Sequence, residues 1–188
     1  MAKFRFFYDY ECPFCKRAYE ELMDLLPAYP GMEVEWRPVE AHPRPENVWP
    51  HSDLCIEAYY IAVELGADVD AFHRAMFRAV ITERQDVENN EVLAKVLKGI
   101  MDRGKFLEIL ESGKYTANVN ENNALAYEEN DVWYVPAFRL PGNNLKTAAE
   151  GKLSGPDSRS RQQVPRLDAR GGVGVNRKEI KNFLDLLN

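Results

Sequence analysis

The chain opens on an apolar run, Phe4-Arg5-Phe6-Phe7-Tyr8, whose length suits a short buried strand over residues 3–9. The period then lengthens. Tyr19, Leu22, Met23 and Leu26 recur at three- and four-residue steps, which predicts a helix over 12–26 ended by Pro27. Pro30-Gly31 marks a turn, and the alternating stretch Glu33 to Val39 predicts a second strand. A strand, a helix and a second strand after a short return form one parallel unit with a right-handed crossover.

Residues 42–50 hold three prolines and predict an extended loop. Helical periodicity follows for about eighty residues. Ser52-Asp53 can cap a helix carrying Leu54, Ala58, Ile61, Ala62 and Leu65, stopped by Gly66. Asp68 or Asp70 can cap the next, with Phe72, Ala75, Met76, Ala79 and Val80 on one face. Val92 to Ile100, Phe106 to Leu110 and residues 116–129 continue the pattern. The aromatics in this block read as core or groove wall, and 52–130 has enough apolar faces to form a subdomain.

Strand character returns at Val132-Trp133-Tyr134-Val135 and continues past Pro136 to Leu140. Pro141-Gly142-Asn143-Asn144 signals a hairpin turn, with Leu145 to Ala149 as the returning strand. Residues 152–170 are rich in Arg, Ser and Gln and predict a flexible loop. Gly171-Gly172-Val173-Gly174-Val175 departs from the dinucleotide fingerprint, because Arg177 takes the last glycine's place, and predicts a turn. An amphipathic helix with Ile180, Phe183, Leu184 and Leu187 closes the chain.

Against this pattern the candidate chemistry is concentrated in Cys12-Pro13-Phe14-Cys15, at the junction of the first strand and first helix. A thiol there faces free backbone N–H groups and the positive end of the helix dipole, which stabilise a thiolate. Cys15, one turn on, is close enough to close a small disulfide ring with Cys12. Three roles fit such a pair: a redox dithiol, a metal site or a structural disulfide. Zinc needs further ligands at matching spacing, and Cys55, His42, His51 and His73 offer none, so no metal is expected. A structural bridge this small would be strained and easily reduced. The redox dithiol is the expectation. Pro13-Phe14 supplies no cation, and Asp9 and Glu11 oppose a nearby negative charge, so a moderately lowered thiol pKa and a middling potential are expected. Cys55, between Leu54 and Ile56, is expected to be a buried bystander.

Length and charge add limits. With 188 residues the chain can bury a good core. A net charge of −6 argues against a general nucleic-acid binder. No apolar run approaches a membrane span. Three cysteines make no disulfide framework, and Met1-Ala2-Lys3-Phe4 leads directly into the first strand without a signal peptide, so a cytoplasmic location is expected.

The element order, together with Phe7-Tyr8-Asp9-Tyr10-Glu11-Cys12-Pro13-Phe14-Cys15, Trp133-Tyr134-Val135-Pro136-Ala137-Phe138 and Gly172-Val173-Gly174-Val175, resembles the DsbA-like branch of the thioredoxin superfamily, including its cytoplasmic members related to the FrnE group. The resemblance implies an α/β thioredoxin fold with a large helical insertion between the second strand and the cis-proline strand. Residues 1–51 and 131–188 would form the thioredoxin-like domain, and 52–130 the inserted helical subdomain. It implies thiol–disulfide oxidoreductase activity in which Cys12 attacks and Cys15 resolves. Pro136 would be a cis proline facing the dithiol, and Pro13, Phe14, Val135 and Pro136 would bind substrate. The implied partners are peptide or protein thiols and disulfides, with glutathione as a further candidate partner or cofactor and an unidentified recycling partner; nucleic acid and membrane are not expected. No other cofactor is implied beyond the Cys12–Cys15 redox disulfide. Two alternatives remain. Kappa-class glutathione transferases and hydroxychromene carboxylate isomerases share the insertion and bind glutathione, but typically carry serine where Cys12 stands. The other is a non-catalytic binding module.

Overall fold

A computed structural model describes residues 2–141, 166–169 and 174–188. Strand β1 (Ala2–Tyr8) runs through the middle of the protein, parallel to β2 (Met32–Pro38) and antiparallel to β3 (Ala137–Arg139), and β4 (Leu167–Asp168) completes the order β2-β1-β3-β4. The density of aromatics in β1 follows from this central place, because both of its faces are covered. Phe4, Phe6 and Tyr8 join the main core, while Phe7 points the other way onto Val39, Ala126, Val132 and Ala137.

Helix α1 (Pro13–Leu25) connects β1 to β2 and buries Cys15, Ala18, Tyr19, Leu22 and Leu25. Pro13 stands at its first position, where a proline's missing N–H costs nothing and its fixed φ suits the helix. The chain then continues through α2 (Asp53–Glu64), α3 (Val69–Phe77), α4 (Asn90–Val96), α5 (Arg103–Glu111) and α6 (Thr116–Asn123) before returning to β3. Asp68 caps α3 and Asn89 caps α4, each through its side-chain oxygen. The predicted inner faces are inside: Ala58, Ile61, Ala62, Phe72, Ala75, Met76, Ala79, Val80, Leu93 and Phe106 are all buried. A short π-helical turn extends α6 over Ala124–Glu129. Helix α7 (Arg177–Asp185) opens on a capping box, Asn176 with Glu179, and buries Ile180, Phe183 and Leu184 against the sheet.

Two expectations are corrected. Val132–Val135 is not a strand. Val132 is buried, but Trp133 and Tyr134 project into solvent at 80% and 57% exposure. Neither takes part in sheet pairing. The flexible loop predicted over 152–170 ends in the sheet, since Leu167–Asp168 pairs with Ala137 and Phe138. The reason is a charge that the apolar pattern does not weigh: buried Arg139 of β3 holds the Asp168 carboxylate. The rest of that segment, and the hairpin expected over 142–149, lie outside the described residues.

Candidate active site

Cys12 is the N-cap of α1, with φ −89° and ψ 113°, and its sulfur stands where a capping oxygen would. The Cys15 backbone N–H donates to Cys12 Sγ at 3.3 Å. Local sequence explains the placement: β1 ends at Tyr8, three residues make a tight connection, and Pro13 starts the helix. Within that connection the Cys12 N–H donates to the Asp9 carbonyl at 3.3 Å.

The two thiols differ in environment. Cys12 is partly exposed, whereas Cys15 is fully buried, and neither is bridged. Hydrogen bonding from the Cys15 side chain, helped by the backbone N–H groups of Cys15 and Phe14, holds the Cys12 thiol below its ordinary pKa against the opposing effects of partial burial and Asp9. Burial, then the neighbouring Cys12, pushes Cys15 well above the ordinary range. Of the two thiols, Cys12 is therefore the more readily ionised.

Across from the dithiol lies the segment leading into β3. The Val135–Pro136 bond is cis, and Cys12 Sγ sits 3.8 Å from the Val135 carbonyl oxygen. The structure thus brings together Cys12, Cys15, Val135 and Pro136, which are separated by more than a hundred residues of chain. Phe14, 40% exposed, flanks the dithiol and packs against Gly174, where a Cβ would meet Phe14 Cδ1 at 2.8 Å and Phe14 Cβ at 2.9 Å. Glycine is the residue that permits this approach of the segment before α7. Cys55 is buried within α2, and burial raises its thiol well above the ordinary range.

Asp9 has a larger role than its charge. It is fully buried, and its carboxylate accepts from the Glu11 N–H at 3.0 Å and from the Ala41 N–H at 2.5 Å. Its own N–H donates to Cys15 Sγ at 3.4 Å. Asp9 therefore ties the turn before Cys12 to the loop after β2. Burial raises its pKa despite those two bonds. Glu11 is raised to about 7, chiefly by burial and then by Asp9. Tyr127 closes the other side of the loop, donating to the Glu40 carbonyl at 2.5 Å. The sequence reads Tyr127 as an inward-facing residue of the 116–129 helix, whereas the structure leaves it 36% exposed with its hydroxyl on the loop; the structural part of Asp9 was missed. The usable signal for Asp9 was a carboxylate placed directly after a two-sided apolar strand. No group of His, Cys, Asp and Glu suited to a metal occurs among the described residues. No helix among them is long and apolar enough to cross a membrane.

The model of the DSBA-like thioredoxin domain matches residues 4–154, and the chain belongs to that family. A relative from Bacillus subtilis (strain 168), the uncharacterized protein YwbO, is 27% identical over 183 aligned positions, covering 77% of this chain and 88% of the relative. Among solved structures, a putative protein disulfide isomerase from Nitrosomonas europaea superposes with a TM-score of 0.67 at 14% identity, covering 98% of this chain and 96% of that one. The oxidoreductase NmDsbA1 from N. meningitidis gives 0.63 at 19% identity, covering 99% and 81%. At these identities the superpositions show the fold, which is the α/β thioredoxin fold expected from the sequence.

Proposed function

We propose that the protein is a thiol–disulfide oxidoreductase working through Cys12 and Cys15. The observation that carries this reading is the split between the two thiols: one partly exposed with a lowered pKa at a helix N-terminus, the other buried with a raised pKa one turn away. In reduction, the Cys12 thiolate attacks one sulfur of a substrate disulfide. A Cys12–substrate bond forms and the other substrate sulfur leaves as a thiolate, which takes a proton from water. Cys15 loses its proton and attacks Cys12 Sγ. The mixed disulfide breaks, the second substrate sulfur leaves, and the Cys12–Cys15 disulfide carries the two electrons' worth of oxidation. Run backward, the same steps oxidise a dithiol.

Val135, Pro136, Pro13 and Phe14 form the substrate-facing surface in this reading. Among the described residues the Val135 N–H makes no backbone hydrogen bond, so it and the carbonyl beside Cys12 can pair with an extended peptide. Peptide or protein thiols and disulfides are the substrate class, and a dithiol favours exchange over glutathione transfer. The chain order of the elements supports treating 52–130 as a unit inserted into the thioredoxin-like part, 1–51 with 131–188. Reduction of insulin by dithiothreitol, with and without the protein, tests the reading. Wild type should accelerate it and Cys12→Ser should not. Equal rates for the two would remove the proposal.

A further inference from the structure

Arg139 is an unusual residue for its position. It lies in β3 between Phe138 and Leu140, in the middle of the sheet, and is only 2% exposed. A buried guanidinium is costly unless its donors are all used, and here they are. Nε donates to the Asn130 carbonyl at 2.9 Å. Nη1 donates to the Phe138 carbonyl at 3.0 Å and to the Leu167 carbonyl at 3.4 Å. Nη2 donates to the Asp131 carbonyl at 3.0 Å and also holds the Asp168 carboxylate. One side chain therefore ties together two stretches of backbone that bracket the substrate-facing segment.

One stretch begins the span to Val135 and Pro136, and the other lies beside the end of that span. Asn130 and Asp131 begin the segment that leads to Val135 and Pro136. Asp131 adopts φ +53°, a conformation uncommon outside glycine, and two guanidinium contacts fix it, from Arg139 and from Arg166 at 3.2 Å. Its carboxylate in turn accepts from the Trp133 indole N–H at 2.6 Å. At the other end, β4 is anchored through Leu167 and Asp168, and the next residue, Ala169, donates to the Pro136 carbonyl at 3.0 Å. Between these anchors the N–H groups of Trp133, Tyr134 and Val135 make no hydrogen bond among the described residues. The span that faces Cys12 is thus held at its ends and at Val132, whose N–H donates to the Ala126 carbonyl at 3.1 Å, while the three N–H groups nearest Pro136 stay unpaired among the described residues.

We propose that Arg139 is a positioning residue for disulfide exchange: its buried guanidinium sets the place of the 130–136 span relative to Cys12 and so governs the pairing of a peptide substrate with Val135. This deepens the oxidoreductase reading and rests on it. Arg139 touches neither thiol, so the chemistry of Cys12 does not pass through it. Its loss acts on capture of a peptide rather than on the nucleophile.

Two folded variants and wild type decide the matter. Arg139→Lys keeps the charge but cannot form the fork, and Asp168→Asn weakens one arm. The measurements are KM and kcat for a cystine-bridged peptide, and the pH profile of Cys12 alkylation by iodoacetamide. Arg139→Lys should raise KM about tenfold with kcat changed less than threefold and the alkylation midpoint unmoved. Asp168→Asn should raise KM about threefold. A purely structural Arg139 would lower the active fraction, and so the apparent kcat, at constant KM. A folded Arg139→Lys with wild-type KM overturns the proposal, as does an alkylation midpoint that moves with the activity. If Arg139→Lys does not fold, an unchanged KM in Asp168→Asn overturns it and a raised one supports it. Wild type that exchanges nothing with the peptide would sink the oxidoreductase reading itself, and this proposal with it, whereas an active wild type isolates Arg139.

Discussion

At the scale of single residues, the site is organised by placing like groups in unlike surroundings. Cys12 and Cys15 are one turn apart, yet a hydrogen bond from the Cys15 side chain lowers the first and burial raises the second. Iodoacetamide labelling against pH, read by peptide mapping, should therefore modify Cys12 with a midpoint below that of an ordinary thiol and leave Cys15 untouched until unfolding. Cys15→Ala removes the largest stabilising contact and should move that midpoint upward. Faster labelling of Cys15 would reverse the assigned roles. The neighbouring carboxyl gives a second prediction. Glu11 holds its proton to about pH 7 in the folded protein against an ordinary 4.5. The folded state then binds more protons than the unfolded chain between those values, so stability is intact below about pH 4.5 and declines as the pH rises toward 7. Glu11→Gln should be the more stable form at about pH 8, by about 1–2 kcal/mol once solvent screening is allowed for, and the gap should close near pH 4. Parallel urea-denaturation profiles across that range would show that Glu11 ionises without cost.

At the scale of elements, the dithiol depends on how α1 begins and on what lies against it. Gly174 precedes α7 and leaves room for Phe14 of the first turn of α1, with closest approaches of 2.8 and 2.9 Å for an added Cβ. The Phe14 Cβ cannot swing away as a side-chain tip can, so Gly174→Ala must displace either the segment before α7 or the start of α1. The expected cost is about 1–3 kcal/mol by urea denaturation, with a change in the Cys12 alkylation midpoint. No change in either would mean the contact relaxes freely. The same elements show what was legible in the sequence. Strands β1 and β2, helix α1 and the inner faces of α2 and α3 follow from periodicity, because each turns apolar positions onto the core. Val132–Val135 misled because an apolar, aromatic run looks the same whether it pairs in a sheet or stands exposed to solvent, as Trp133 does. Strand β4 was hidden because two residues cannot show a period, and because its anchor is the Arg139–Asp168 pair rather than an apolar face. A charged residue between Phe138 and Leu140 was the available sign that β3 had a polar partner.

At the scale of the whole molecule, the sheet and the helices between β2 and β3 share one core, and His73 of α3 stands at the junction. Its ring meets Tyr8 of β1, Trp36 of β2, Tyr19 of α1 and Tyr59 of α2, at centroid distances of 5.4, 4.8, 5.3 and 5.5 Å. Its Nδ1 pairs with the Tyr10 hydroxyl at 2.9 Å, while the buried Nε2 has no partner among the described residues. Burial lowers its pKa from 6.5 to about 3. The unfolded chain thus takes up a proton that the folded protein refuses, so stability from His73 is complete above about pH 6.5 and is lost as the pH falls toward 3. The loss over that window is about 4 kcal/mol. His73→Phe keeps an aromatic ring in the cluster but gives up the bond to Tyr10, which costs about 1 kcal/mol at neutral pH. It also has nothing to protonate. The variant should therefore be less stable than wild type at pH 7 and more stable at pH 4, with the two curves crossing at about pH 6. Because the cluster joins both parts of the molecule, far-ultraviolet and near-ultraviolet circular dichroism should follow a single transition in each case. Urea denaturation from pH 7 to 4 measures this directly, and curves that stay parallel would show that His73 is not buried as a neutral group.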